Sequence, residues 1–331
     1  MNGSAGKPPL SYSIPSFSRD GLDGCATALQ RLRGLGFRHV TFTPAFQVVT
    51  DAPLHIDLGR TPDYAVFDAA VALAHDMGFC VRMEPHVDYA STFSGGPYRW
   101  RRDMVFDPAH ASTGYFDKVI VPLTAALAPG DELTLGSELD LSLTAFPQGW
   151  ERLRKIGSQI LRRGHKVNHD FFDGCVPDAV FDYLRSLDYV SFSFYPRIGW
   201  RRGWTPTDIA SAFRQKAERL VEVLRERIAP SSTMTIGEFG LGSADLHSPW
   251  KVAAETLTGP EPLQARRDYY LGFLKFCAAS ADLLGGNPAA FWTAGHFDFL
   301  GVLGFSSSPL FKDDSLIRAV IEYNSQGVEV T

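Results

Sequence analysis

Short β-rich runs alternate with amphipathic helical stretches about eight times along this chain, and no other feature restricts its possible architectures as much. Candidate strands are Ser11–Ile14, His39–Thr43, Phe79–Glu84, Glu132–Glu138, Lys166–Phe171, Tyr189–Phe194, Thr233–Glu238 and Ala289–Thr293. They concentrate Val, Ile, Phe and Thr, which suit a pleated surface. Several are almost wholly apolar, as parallel strands covered on both faces should be. Between them, Asp63–Met77 puts Phe67, Ala70, Val71 and Ala74 on one helical face, with Gly78 as a C-terminal stop. Leu22–Leu35 stops at Gly36 and Trp150–Arg163 at Gly164, and Tyr115–Leu127, Asp178–Ser186, Asp208–Ile228, Arg266–Leu284 and Asp314–Tyr323 also read as helices. An open doubly wound sheet would show the same alternation, but no GxGxxG follows the first strand. The expectation is an α/β fold, a (β/α)8 TIM barrel. It forms one domain over residues 1–331 with long loops on the C-terminal face, and the 331 residues exceed the roughly 250 such a barrel needs.

Composition narrows the function classes. A formal net charge of -5 argues against a nucleic-acid binder, which normally carries a basic face. Cys25, Cys80, Cys175 and Cys277 form no CxxC pair, so zinc ribbons and thioredoxin-type motifs are disfavoured. Cys80, within Phe79-Cys80-Val81, reads as a buried small hydrophobe. No apolar run reaches the length of a membrane span. Met1 to Leu10 lacks the apolar core of a signal peptide, so the expected location is cytoplasmic unless a leader has been removed. There is no P-loop, nucleophile elbow or HExxH, and no cofactor is expected. The sequence leaves the oligomeric state open.

Three long connections, 85–114, 195–207 and 239–265, each follow a predicted strand and so belong to the rim where barrel enzymes place their sites. They carry Trp100, Trp200, Trp204 and Trp250, which fit a cleft for the flat apolar faces of sugars, or loops packed on themselves. Glu138 and Glu238 each end an apolar strand, the fourth and the seventh. Burying a lone carboxylate is costly, so the placement needs a reason. Glycosidic cleavage supplies one, since it uses two such groups; separate salt bridges to rim arginines are the alternative. Glu84, His86 and Asp88 follow strand three, Asn168, His169 and Asp170 lie on strand five, Tyr195 ends strand six, and Trp292, His296 and Asp298 follow strand eight. His86, Asp88 and His169 could also be metal ligands, but His-x-Asp is too common a spacing to be specific. Hydrogen bonding to sugar hydroxyls suits these groups better, and no metal is expected.

At these positions the chain resembles glycoside hydrolase family 113, β-mannanase-type enzymes of the large clan A of (β/α)8 glycosidases. The resemblance runs from about Gly36 to Gly304. It rests on Arg60-Thr61-Pro62, Met83-Glu84-Pro85-His86-Val87-Asp88, Leu135-Gly136-Ser137-Glu138-Leu139, Leu187-Asp188-Tyr189-Val190 leading to Tyr195-Pro196, Ile236-Gly237-Glu238-Phe239-Gly240 and Phe291-Trp292, in that order. It implies a retaining β-glycosidase acting on an oligo- or polysaccharide, with Glu138 as acid/base and Glu238 as nucleophile. It further implies that Tyr195 hydrogen-bonds the nucleophile and that Trp292 floors the subsite of cleavage. Substrate contacts would come from His86, Asp88, Asn168, Trp100, Trp200, Arg60 and His296. Two positions depart from the pattern. Ser137 stands where most of the clan has an Asn that holds the sugar 2-hydroxyl, so that contact is weaker or comes from elsewhere, with Asn168 the candidate. Glu84 stands where the family has Lys. An acid must hold its proton, so Glu138 is expected to titrate above Glu238. Transglycosylation by the same site, and a barrel that binds glycan without cleaving it, remain open.

Overall fold

The computed structural model describes residues 7–15, 21–51, 54–57, 64–89, 100–155, 161–241, 260–292 and 313–325. In chain order the strands are β1 (Leu10–Pro15), β2 (His39–Thr43), β3 (Ala45–Asp51), β4 (Leu54–Asp57), β5 (Cys80–Met83), β6 (His86–Tyr89), β7 (Glu132–Ser137), β8 (Arg162–Asn168), β9 (Tyr189–Ser193), β10 (Thr235–Phe239) and β11 (Ala289–Phe291). Eight of them, β1, β2, β5, β7, β8, β9, β10 and β11, close into a barrel in that order. Among the described residues, the ladders β1/β11, β10/β11, β5/β7, β7/β8 and β8/β9 are parallel. The helices are α1 (Gly21–Gly34), α2 (Tyr64–Asp76), α3 (Val121–Ala126), α4 (Asp140–Ala145), α5 (Pro147–Lys155), α6 (Asp178–Arg185), α7 (Pro206–Arg227), α8 (Pro260–Ala279), α9 (Ala281–Leu284) and α10 (Asp314–Ser325). This is the expected (β/α)8 architecture. No described helix is long and apolar enough to cross a membrane.

One element set has no counterpart in the sequence reading. β3, β4 and β6 make a separate three-stranded sheet, with β3 antiparallel to β4 and parallel to β6. The connection after strand three therefore opens with a strand that carries His86 and Asp88.

The chain divides into two compact units, one of Ile14–Ala26 and Val40–Ser193, the other of Met1–Ser13, Thr27–His39 and Phe194–Thr331. In the first, β7 is buried along its whole length, as a parallel strand covered on both sides must be. Trp150 of α5 meets the His165 ring edge-on at 4.8 Å and Tyr115 at 5.5 Å. α2 buries Phe67, Ala70, Val71 and Ala74, as its periodicity predicts. The expected helix Trp150–Arg163 is corrected here. α5 ends at Lys155, and Arg162 and Arg163 already belong to β8. Gly164 is no helix stop. It pairs with Tyr189, and a Cβ there would lie 2.0 Å from the Tyr189 ring, so the position needs hydrogen for lack of space. β8 accordingly starts before Lys166 and ends at Asn168, with Phe171–Asp173 forming a 3-10 turn. Cys80 is exposed rather than buried. It is the first residue of β5 and alternates outward between buried Phe79 and Val81.

In the second unit an aromatic cluster fixes β10. Phe239 stacks on Phe273 of α8 at 3.5 Å between centroids and on Tyr269 at 5.3 Å, and meets Phe213 of α7 edge-on at 5.4 Å. Successive strand residues point to opposite faces, so anchoring Phe239 toward α7 and α8 turns Glu238 to the other side of the strand. Truncating such a ring typically costs about 3–5 kcal/mol, so this packing holds Glu238's backbone firmly. α7 opens with a capping box. Thr205 accepts from the Asp208 amide and Asp208 receives the Thr205 amide, with Pro206 at the first helical position.

Candidate active site

Glu138 follows β7 directly. Its amide donates to the Lys166 carbonyl at 2.8 Å, which carries the ladder one residue past Ser137. Its φ is 55°, and among the described residues it is the one non-glycine residue with a positive value. The turn swings the chain into α4, which begins at Asp140. A left-handed backbone costs an L-residue about 1–2 kcal/mol, and strain of this kind concentrates at functional positions. Glu138→Gly should therefore be more stable than Glu138→Ala, by about 1 kcal/mol, reversing the usual order in which glycine is the weaker residue. Denaturant unfolding of the two variants checks this, and an alanine variant at least as stable as the glycine one would remove the strain.

The Glu138 side chain is buried and lies among cations. Arg101, in the 3-10 turn Arg101–Asp103, has its Nε 3.6 Å from Glu138 Oε2 and its Nη2 3.0 Å from Asp88 Oδ1. Lys166 of β8 is fully buried, donates to Glu84 Oε1, and reaches His86 Nε2 at 3.3 Å. Because the ammonium can only donate, His86 Nε2 is the acceptor. Burial, then the charges of Arg101 and Lys166, hold His86 well below its ordinary value, so it is neutral. Removing either member of the Glu84–Lys166 pair would strand a buried charge, at a cost of about 3–5 kcal/mol. Burial acts to raise Glu138, but Arg101, Lys166, the Ser193 hydroxyl and His86 together outweigh it, and its carboxyl lies below the ordinary glutamate value. The resting protein thus differs from the expectation of a proton-holding acid, for an identifiable reason: two cations beside one carboxylate.

Asp140, two residues on, is pushed up to about 7 by burial despite donors from Asn168 and the charge of Arg102. Asn168 gives its side-chain amide to Asp140 Oδ2 at 2.9 Å and its backbone amide to Oδ1 at 3.4 Å. The amide nitrogen of Asn168 is therefore engaged with Asp140, leaving its carbonyl as the side-chain group for other contacts. His169 Nδ1 lies 3.2 Å from the Ser193 carbonyl, to which it can only donate. His86 is buried and Asp88 half-buried on β6, and Trp100 is half-buried just before Arg101.

In the second unit, Glu238 is the other carboxylate expected from the sequence. Glu238 lies within β10 and is 6% exposed. Tyr195, two residues past the end of β9, donates its hydroxyl to Glu238 Oε1 at 2.7 Å. The Glu238 carbonyl receives the Phe194 amide at 2.7 Å, which sets Tyr195 in register with it. The Trp292 amide donates to the Phe239 carbonyl at 2.7 Å, so half-buried Trp292 leaves β11 alongside the end of β10. Gly240 makes that approach possible, since a Cβ there would lie 2.5 Å from the Trp292 carbonyl oxygen. Trp200 and Trp204 are half-buried, and Arg201 and Arg202 exposed. Arg60, Trp250, His296 and Asp298 lie outside the described residues.

Lys166, Arg101 and Asp140 were not among the expected site residues. Lys166 opens the expected strand Lys166–Phe171 as one of several charged residues in that stretch, so nothing marked it as special. Asp140 carried only its closeness to Glu138, and Arg101 sits in a connection without periodicity.

No protein-family model and no curated protein sequence matches the chain. Solved structures do. A family 113 β-mannanase from Alicyclobacillus acidocaldarius, in complex with ManMIm, is 14% identical, with 98% of this chain and 99% of that one covered and a TM-score of 0.67. A family 113 β-1,4-mannanase in a complex is 14% identical over 96% of this chain and 98% of its own, with a TM-score of 0.63. A family 5, subfamily 18 protein from Streptomyces cattleya, in complex with GlcNAc, is 14% identical over 98% and 82%, again with a TM-score of 0.63. At this identity the likeness shows the fold, a (β/α)8 barrel similar to those of family 113.

Proposed function

We propose that this chain is a retaining glycoside hydrolase acting on β-linked glycans of mannose or glucose type, with Glu238 as nucleophile and Glu138 as acid/base. The observation that carries the reading is the Tyr195–Glu238 hydrogen bond, at 2.7 Å, on a carboxylate buried in the seventh barrel strand. The tyrosine holds one carboxylate oxygen, Oε1, and so fixes the orientation of the carboxylate. The strained Glu138 at the end of the fourth barrel strand, and structural neighbours named as mannanases, support it further.

In the first step a Glu238 carboxylate oxygen bonds to the anomeric carbon as the glycosidic C–O bond breaks, and Glu138 gives its proton to the departing oxygen. In the second, Glu138 takes a proton from water, the water oxygen bonds to the anomeric carbon, and Glu238 leaves as carboxylate. Trp292, Trp100 and Trp200 would line the cleft with ring faces against the C–H faces of the sugars. His86, Asp88 and Asn168 would meet hydroxyls, and Arg60 and His296 complete the proposed substrate contacts.

The test is proton NMR of β-1,4-mannan and β-1,4-glucan digests from the first minutes. The β-anomer should appear first and mutarotate to the mixture. First release of the α-anomer would overturn the covalent mechanism, and no release from any β-linked polymer would leave the glycan-binding barrel.

A further inference from the structure

Arg101 is shared between two carboxylates. Its Nη2 stands 3.0 Å from Asp88, which is partly open to solvent, and its Nε stands 3.6 Å from Glu138, which is not. The guanidinium itself is mostly buried, with 11% of its side chain exposed. Glu138 already has a second cation nearby in Lys166, and that one is locked, fully buried, between Glu84 and His86. Arg101 is the cation with an alternative anion to rest on.

We propose that Arg101 is a positioning residue that keeps Glu138 a carboxylate in the free protein and must move off it, onto Asp88, before Glu138 can take up a proton. The inference rests on the acid/base reading of Glu138 for its functional meaning, while the ion pair stands without it. A cation within about 4–6 Å favours the charged form of a carboxylate, so the protonated form that step one needs is scarce while Arg101 stays. The groups acting on Glu138 from its own unit are Arg101 from the 3-10 turn, Lys166 from β8, the Ser193 hydroxyl from β9, His86 from β6 and Asp140 from α4. His86 adds the smallest pull in the same direction as the cations, and Asp140, pushed up to about 7, opposes them only once it ionises. Withdrawing one cation from this set tips Glu138 toward its protonated form.

The sign is definite. In kcat/KM the alkaline limb falls as the acid/base loses its proton, so removing Arg101 moves that limb to higher pH. The experiment is a carbon-13 NMR titration of glutamate-labelled protein, with Glu138→Gln used to assign the Glu138 carboxyl, on wild type, Arg101→Gln and Arg101→Lys. Glu138 should titrate about one pH unit or more higher in Arg101→Gln than in wild type. Arg101→Lys, which keeps the charge, should stay near wild type. Thermal unfolding of the variants confirms that they fold; Arg101→Met, which also removes the charge, takes the place of Arg101→Gln if that variant does not fold, and a rise in Arg101→Lys as large as in the uncharged variant contradicts the pairing. An unchanged Glu138 titration in folded Arg101→Gln overturns the inference. Near-normal turnover by Glu138→Gln would instead overturn the acid/base reading and leave the titration result standing, so the two failures are distinguishable.

Discussion

Glu238→Gln is expected to lose turnover by on the order of 10^5-fold or more while remaining folded. The substitution keeps the shape of the side chain and removes the charge that attacks. The Tyr195 hydroxyl can still donate to the amide oxygen, so its 2.7 Å bond has a replacement acceptor. The aromatic packing of Phe239 against Phe273 and Tyr269, which holds β10, is untouched. Stability should therefore change by no more than about 1 kcal/mol, measured by thermal or denaturant unfolding alongside the rate. A folded Glu238→Gln protein with near-normal rates on its best substrate would remove Glu238 from the nucleophile role.

Glu138→Ala is expected to split its effect by leaving group. On polysaccharides and alkyl glycosides, which need protonation to depart, the rate should fall on the order of 10^3–10^4-fold, the usual scale for a lost general acid. On dinitrophenyl β-glycosides the first step should run near wild type, because the phenolate leaves without a proton. The second step then limits, since no base activates water and the glycosyl-enzyme accumulates. Azide needs no base, so it should restore turnover and give a β-glycosyl azide, identifiable by NMR. Equal losses on both substrate types, without azide rescue, would assign Glu138 to structure instead.

The barrel was legible because parallel strands covered on both faces leave continuous apolar runs, and β2 falls on the predicted His39–Thr43. The misread helix 150–163 shows the limit of that signal. Leu153, Ile156, Ile160 and Leu161 fit a helical face, yet the chain is back in a strand by Arg162, and periodicity alone does not separate a buried helix from a buried strand. Gly164 gave the wrong cue because its reason, the Tyr189 ring, lies 25 residues away in sequence. β4 and β6 have four residues each, and β6 pairs with β3, far from it in sequence. The same holds within the candidate site. Glu138 and Glu238 could be read locally, as carboxylates closing apolar strands. Lys166 meets Glu84 across 82 residues, and Arg101 meets Asp88 and Glu138 from an irregular connection, so nothing near either residue announces its partner.

Two barrel strands do not end where the barrel does. β2 passes Pro44 and continues as β3, β5 passes Glu84 and Pro85 and continues as β6, and the extensions pair in register, Ala45 with His86 and Gln47 with Asp88. The backbone under His86 and Asp88 is thereby ordered by a hydrogen-bonded ladder during folding, with its conformational entropy already lost before any ligand arrives. Amide hydrogen exchange along residues 86–88 should be slow in the free protein and change little on glycan binding, unlike that of an ordinary rim loop. A sugar meeting this edge would encounter a rigid template, and affinity gained there would not be offset by freezing the chain.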